Sequence, residues 1–106
     1  MKKIVLITGA TAGIGEATAV LLAQNNFDLI VTGRRNDRLK KLKERIENET
    51  SAEILTLNFD IRNRQETETA IQSLPEKWQR IDILINNAGL AAGLSAVNNG
   101  DVDDWE

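Results

Sequence analysis

A chain of 106 residues suits one domain or part of one, and its 42% hydrophobic and 27% charged residues exclude both disorder and a membrane span. The formal net charge of −3 provides no basic field for nucleic acid; with no Cys and no His there is no disulfide, thiol chemistry or thiolate metal site, and a zinc or iron site would need carboxylates alone. Lys2-Lys3 precede an apolar run far too short for a secretion signal, and glycines follow at once, so the protein is expected to be cytoplasmic.

That run, Ile4-Val5-Leu6-Ile7, is short, bounded and β-branched, as a buried strand should be. It leads into Thr8-Gly9-Ala10-Thr11-Ala12-Gly13-Ile14-Gly15. A helical pattern follows over residues 14–24, with apolar positions at Ile14, Ala17, Thr18, Leu21 and Leu22 and with Asn25-Asn26 ending it. A strand feeding a glycine-rich turn that opens a helix is a setting for gripping phosphate, because N–H groups at the helix start are unpaired and the dipole is positive there. Gly9 permits the turn off the strand, Gly13 lets a pyrophosphate approach the backbone, and Gly15 lets the helix lie close to the sheet. The order is G-x-x-x-G-x-G, not the more usual G-x-G-x-x-G of dinucleotide folds. An ATPase phosphate loop is excluded, because Glu16 and Ala17 stand where it requires Lys and Ser or Thr.

Residues 28–33 read as a second buried strand, which completes a βαβ unit with parallel strands and a right-handed crossover. In dinucleotide folds the end of this strand meets the adenosine ribose, and an acid there would select NAD. This chain has Gly33-Arg34-Arg35 instead. Two guanidiniums at that point can fork onto a 2′-phosphate or stack on adenine. Asp37 reads as a first-turn helix acid. Asn36 is the expected N-cap of a helix over residues 37–48, with Leu39, Leu42 and Ile46 on one face. The charge run over 40–47 is a solvated face and is assigned no function.

Residues 53–59 read as strand three, which delivers Asp60 and Ile61 to the sheet edge where ligands of open α/β sheets bind. Asp60 could accept a hydrogen bond from the adenine amine with Ile61 backing the ring, or it could be a turn acid bonded to its own loop. Asn63 and Glu66 have capping-box spacing for a helix to about Leu74, which Pro75 ends, and Trp78 covers the helix–sheet seam. Residues 81–85 form strand four. Asn86-Asn87-Ala88-Gly89 at its end are small and amide-rich, suited to close contact with a flat ligand beside the first loop.

Taken together, the Thr8–Gly15 glycine motif, Asp60 after strand three and Asn86-Asn87-Ala88-Gly89 resemble the short-chain dehydrogenase/reductase family. With Thr32-Gly33-Arg34-Arg35, Asp60-Ile61-Arg62-Asn63-Arg64 and Ile81-Asp82-Ile83-Leu84, the chain is similar to that family's NADP-dependent 3-hydroxy acid (serine) dehydrogenase branch. The resemblance implies a three-layer αβα Rossmann-type α/β fold, strand order 3-2-1-4 in the part present. It also implies hydride transfer between NADP and a hydroxyl or carbonyl carbon of a small molecule. By position, Gly9, Ala10, Thr11, Ala12, Gly13 and Ile14 would hold the pyrophosphate, and Arg34 and Arg35 the 2′-phosphate. Asp60 and Ile61 would hold the adenine, and Asn87, with Ala88 and Gly89, the ribose and nicotinamide side.

The family's catalytic chemistry resembles acid catalysis by a Tyr in Tyr-x-x-x-Lys, aided by a Ser and an Asn. This chain has no Tyr, and Ser51, Ser73 and Ser95 match no catalytic position. The expectation is therefore that residues 1–106 are the N-terminal, cofactor-binding part of one longer domain, cut at the first turn of a helix over 101–106. The parent would be a homo-oligomer, and strand four would be left as an open edge prone to self-association. The rival readings are a chemically inert dinucleotide-binding module or sensor, and a structural remnant that binds nothing.

Overall fold

The computed structural model describes residues 2–9 and 13–87. Its elements are β1 (Ile4–Thr8), α1 (Gly13–Gln24), β2 (Asp28–Gly33), α2 (Asn36–Glu49), β3 (Ile54–Asn58), α3 (Arg64–Gln72), a single helical turn (Glu76–Trp78) and β4 (Ile83–Asn86). The strands form one sheet in the order β3-β2-β1-β4, with every neighbouring pair parallel. β1 is central, Leu6 lying opposite Ile30 on one side and Leu84 on the other. β1 and β2 are buried along their whole length, which explains why both read as continuous apolar runs and not as alternating ones.

Alternation still sorts the core into two layers. Val5, Ile7, Leu29 and Val31 pack with Ala19, Val20 and Ala23 of α1 and with Leu39, Leu42 and Ile46 of α2. Ile4, Leu6, Ile30 and Leu84 pack with Ile71 of α3, Leu74 and Trp78 on the other face. The result is the expected αβα sandwich, with Trp78 at the helix–sheet seam. Among the described residues, no helix is long and apolar enough to cross a membrane, and no three acidic side chains converge on a metal position.

Several local expectations are corrected. The positions that define the helical period of α1 are not its buried ones: Ile14 is 78% and Leu21 59% exposed, while Gly15, Ala19, Val20 and Ala23 are buried. Small residues at 15, 19 and 23 allow a close approach to the sheet that Leu or Ile would prevent. Asn36 is the first residue of α2, and the capping position falls on Arg35 without a side-chain cap bond. The Asn63 cap forms as expected: its side chain accepts the Glu66 N–H at 2.9 Å. Glu66 does not return the bond to Asn63 but faces the Asp60 N–H at 3.5 Å. Strand four starts at Ile83, two residues later than read, and includes Asn86.

At the N-terminal edge of the sheet, acids clasp neighbouring strands. Asp82 Oδ2 accepts the Ile4 N–H at 2.9 Å, and buried Asp28 accepts the Glu53 N–H at 2.9 Å. Lys77 bridges Asp28 (3.3 Å) and Glu53, and its ammonium sits 4.9 Å from the centroid of the Trp78 ring. The bond to Glu53, and then Asp28, outweigh partial burial and raise the Lys77 ammonium above the usual lysine range. Because Lys77 is nearly half exposed, screening limits its contribution to about 1 kcal/mol. K77M is therefore expected to lower the urea midpoint slightly at neutral pH. A folded-state value raised above the unfolded one gives stability that is complete below the usual lysine range and lost as pH rises through the folded value. The gap between wild type and K77M should close only there.

Candidate cofactor site at the C-terminal sheet edge

Because the strands are parallel, all four end on the same edge, where the loops after them meet. Gly9 leaves β1 with φ +70°, a left-handed conformation that a side chain would strain, and its neighbours hold it there. Its N–H donates to Thr32 Oγ1 of β2 at 3.3 Å, and its carbonyl accepts from Asn87 Nδ2 at 3.0 Å. Thr8 Oγ1 donates to Asn86 Oδ1 at 3.0 Å, joining the ends of β1 and β4. The turn is thus tied to both flanking strands before any ligand arrives. Gly13, the first residue of α1, has φ +57°, and a Cβ placed on it would meet no atom of the described residues within 4 Å. The backbone here faces open space, as a phosphate-binding helix start requires.

Beside the turn lies a cavity of about 310 Å³ lined by Gly9, Thr32 and Gly33, by Arg34 and Arg35, and by Phe59, Asp60, Ile61 and Arg62. The ends of β2 and β3 are fastened beneath it: Gly33 O accepts from Asn58 Nδ2 at 3.0 Å and from the Phe59 N–H at 3.1 Å. Gly9, Arg34, Arg35, Asp60 and Ile61, far apart in sequence, therefore share one concavity. Ile61 is buried in the core with Trp78 and Leu84, so its side chain anchors the loop and its backbone is what remains for a ligand. Arg34 and Arg35 are exposed, and Arg35 Nε lies 3.5 Å from Asp37 Oδ1. Ala10, Thr11, Ala12, Ala88 and Gly89 lie outside the described residues.

Asp60 is bonded within its own loop, the second of the two readings open from the sequence. Oδ1 accepts the Arg62 N–H at 3.0 Å and Arg62 Nε at 3.1 Å, and Oδ2 accepts Arg62 Nη2 at 3.2 Å. A carboxylate has about four acceptor sites, so these bonds fill Oδ1 and leave capacity on Oδ2. The Arg62 side-chain bonds, then its backbone bond, and more weakly the Arg34 charge hold the Asp60 carboxyl below its ordinary value. Sequence reasoning missed Arg62 as a site residue. The available signal was its place two residues after an Asp, the spacing of an Asx turn.

The cavity suits the adenosine end of a dinucleotide: guanidiniums for a phosphate, a carboxylate with spare acceptor capacity and the Gly9 turn on one rim. A family model for short chain dehydrogenase matches residues 3–106. The NADP-dependent 3-hydroxy acid dehydrogenase of Salmonella typhi is 48% identical over 103 residues, covering 97% of this chain and 40% of that protein. Serine dehydrogenase from Escherichia coli superposes with a TM-score of 0.74 at 42% identity, over 95% of this chain and 45% of that one. A short-chain dehydrogenase from Sphingobium yanoikuyae in complex with NADPH gives 0.70 at 34% identity, over 82% and 34%. The chain thus spans about 40% of the length of the curated relatives it matches.

Proposed function

The chain belongs to the short chain dehydrogenase family, and we propose that it is the NADP-binding part of an oxidoreductase acting on a small hydroxy acid or the corresponding carbonyl compound. The observation that carries this reading is the convergence of the Gly9 turn, the Arg34-Arg35 pair and Asp60 on one cavity. In it Arg34 and Arg35 bind the 2′-phosphate, Asp60 and Ile61 the adenine, the first turn of α1 with residues 9–14 the pyrophosphate, and Asn87 with Ala88 and Gly89 the nicotinamide side. NADP, when bound, supplies or accepts the hydride. This chain orients it. With no Tyr, these 106 residues contribute no group of the Tyr-x-x-x-Lys kind to proton transfer. The hydroxy acid class is supported by the names of the Salmonella and Escherichia proteins.

The test is a fluorescence titration of the full-length protein with NADPH and NADH, followed by an assay of NADP reduction with a panel of small hydroxy acids. NADPH should bind at least tenfold more tightly, roughly the effect of one charge-assisted hydrogen bond. Equal affinities, or a preference for NADH, would overturn the cofactor assignment. A panel without turnover would overturn the substrate class alone.

A further inference from the structure

Arg62 lines the cavity, yet its side chain is committed to Asp60. The backbone bond from Arg62 holds the carboxylate at one oxygen only, and the angular tolerance of a single hydrogen bond lets the group rock about its Cβ–Cγ bond. The guanidinium removes that freedom by engaging both oxygens, Nε on Oδ1 and Nη2 on Oδ2. Such a planar two-point contact is something Arg can make and Lys cannot. It lies on an exposed loop, where an ion pair adds little to stability, so geometric control is its more telling consequence.

We propose that Arg62 is a positioning residue for the adenine end of the site, holding the Asp60 carboxylate so that the remaining acceptor capacity of Oδ2 serves the exocyclic amine of the base. This deepens the NADP reading and rests on it. Arg62 acts through Asp60 and does not itself grip the cofactor. With Asp60 turned loose, the amine would lose its aligned acceptor while the 2′-phosphate contacts of Arg34 and Arg35 stayed intact.

A probe that isolates the amine is the NADPH analogue carrying hypoxanthine in place of adenine, which presents an oxygen where adenine presents the donor. In the full-length wild-type protein, NADPH should bind about five- to tenfold more tightly than this analogue. R62Q is expected to lose most of that ratio by weakening NADPH binding alone, and its preference for NADPH over NADH should persist. R62K keeps the charge without the fork and should behave like R62Q. D60A should lose the ratio too, and adding R62Q to D60A should change nothing more, since the two residues act as one unit. A wild-type ratio in R62Q overturns the proposal, and so does a wild-type ratio in R62K, which would reduce the role to charge. If the wild type favours NADPH over NADH but does not distinguish the analogue, the positioning role falls and the NADP reading stands. If it binds neither dinucleotide, both fall.

Discussion

Replacing both Arg34 and Arg35 with Ala in the full-length protein is expected to erase most of its preference for NADP over NAD and to leave NAD affinity nearly unchanged. Each guanidinium can make charge-assisted hydrogen bonds to a 2′-phosphate worth roughly 1.5–3 kcal/mol, which is about ten- to a hundredfold in affinity per Arg. NAD has only a hydroxyl at that position and loses little. The two arginines should not contribute equally. Arg35 lies 3.5 Å from Asp37, so part of its charge is already answered at close range, whereas Arg34 makes no such ion pair among the described residues and meets only the weaker, longer-range charge of Asp60. Both members of the Arg35–Asp37 pair are well exposed, which makes the pair weak enough to yield to a phosphate. R34A should therefore be the costlier single change. Raising the ionic strength should shrink the NADP preference of the wild type, because these charges face solvent. The check is the ratio of dissociation constants for NADPH and NADH in each variant. A double variant that keeps the wild-type ratio would remove the arginines from the site.

Much of this arrangement could be read from the residues because several independent patterns agreed. Ile4-Val5-Leu6-Ile7 and Leu29-Ile30-Val31 are apolar and rich in β-branched residues, and parallel strands buried on both faces demand that composition. The Asn63–Glu66 spacing announced the start of α3 because a cap is a local contact, encoded within four residues. What could not be read depends on contacts made in three dimensions. Asn36 looked like a cap, but Arg35 holds the extended cap position, which puts Asn36 inside the first turn of α2. The start of strand four was misplaced because Ile81-Asp82 continues the apolar alternation, while in the fold Asp82 clasps the Ile4 N–H ahead of the ladder. For Arg62 the Asx-turn spacing after Asp60 is the one local signal, and it marks the backbone bond only; the side-chain fork on Asp60 is a three-dimensional contact of a charged loop residue that is ordinarily solvated.

The sharpest of these differences is on α1, and it predicts a large effect on stability. A helix that is apolar on most sides gives periodicity nothing to choose between, so Ile14, Ala17, Thr18, Leu21 and Leu22 satisfy the amphipathic template although only Leu22 among these apolar side chains packs against the core, and only in part. The inner face follows residue size instead. Ala19 is fully buried in one cluster with Val5, Ile7, Leu29 and Val31, between the buried Gly15 and Ala23 one turn to either side. A larger side chain there has no room to turn aside in a layer packed at crystal density, so the helix must lift from the sheet. A19L should lower stability by about 1–3 kcal/mol, seen as a fall in the urea midpoint of the full-length protein with an unchanged slope. A19S, which adds a single oxygen able to bond the carbonyl one turn back, should cost less. Lifting α1 also moves the start of the helix away from Gly9, so A19L should weaken NADPH binding even under conditions where the protein stays folded. If the periodic positions were the inner ones, Ala19 would face outward and exchanging it for Leu, the next best helix former, would cost only a few tenths of a kcal/mol, roughly the difference in helix propensity. A19L with wild-type stability would therefore reverse the assignment of the helix face, and with it the account of why small residues stand at 15, 19 and 23.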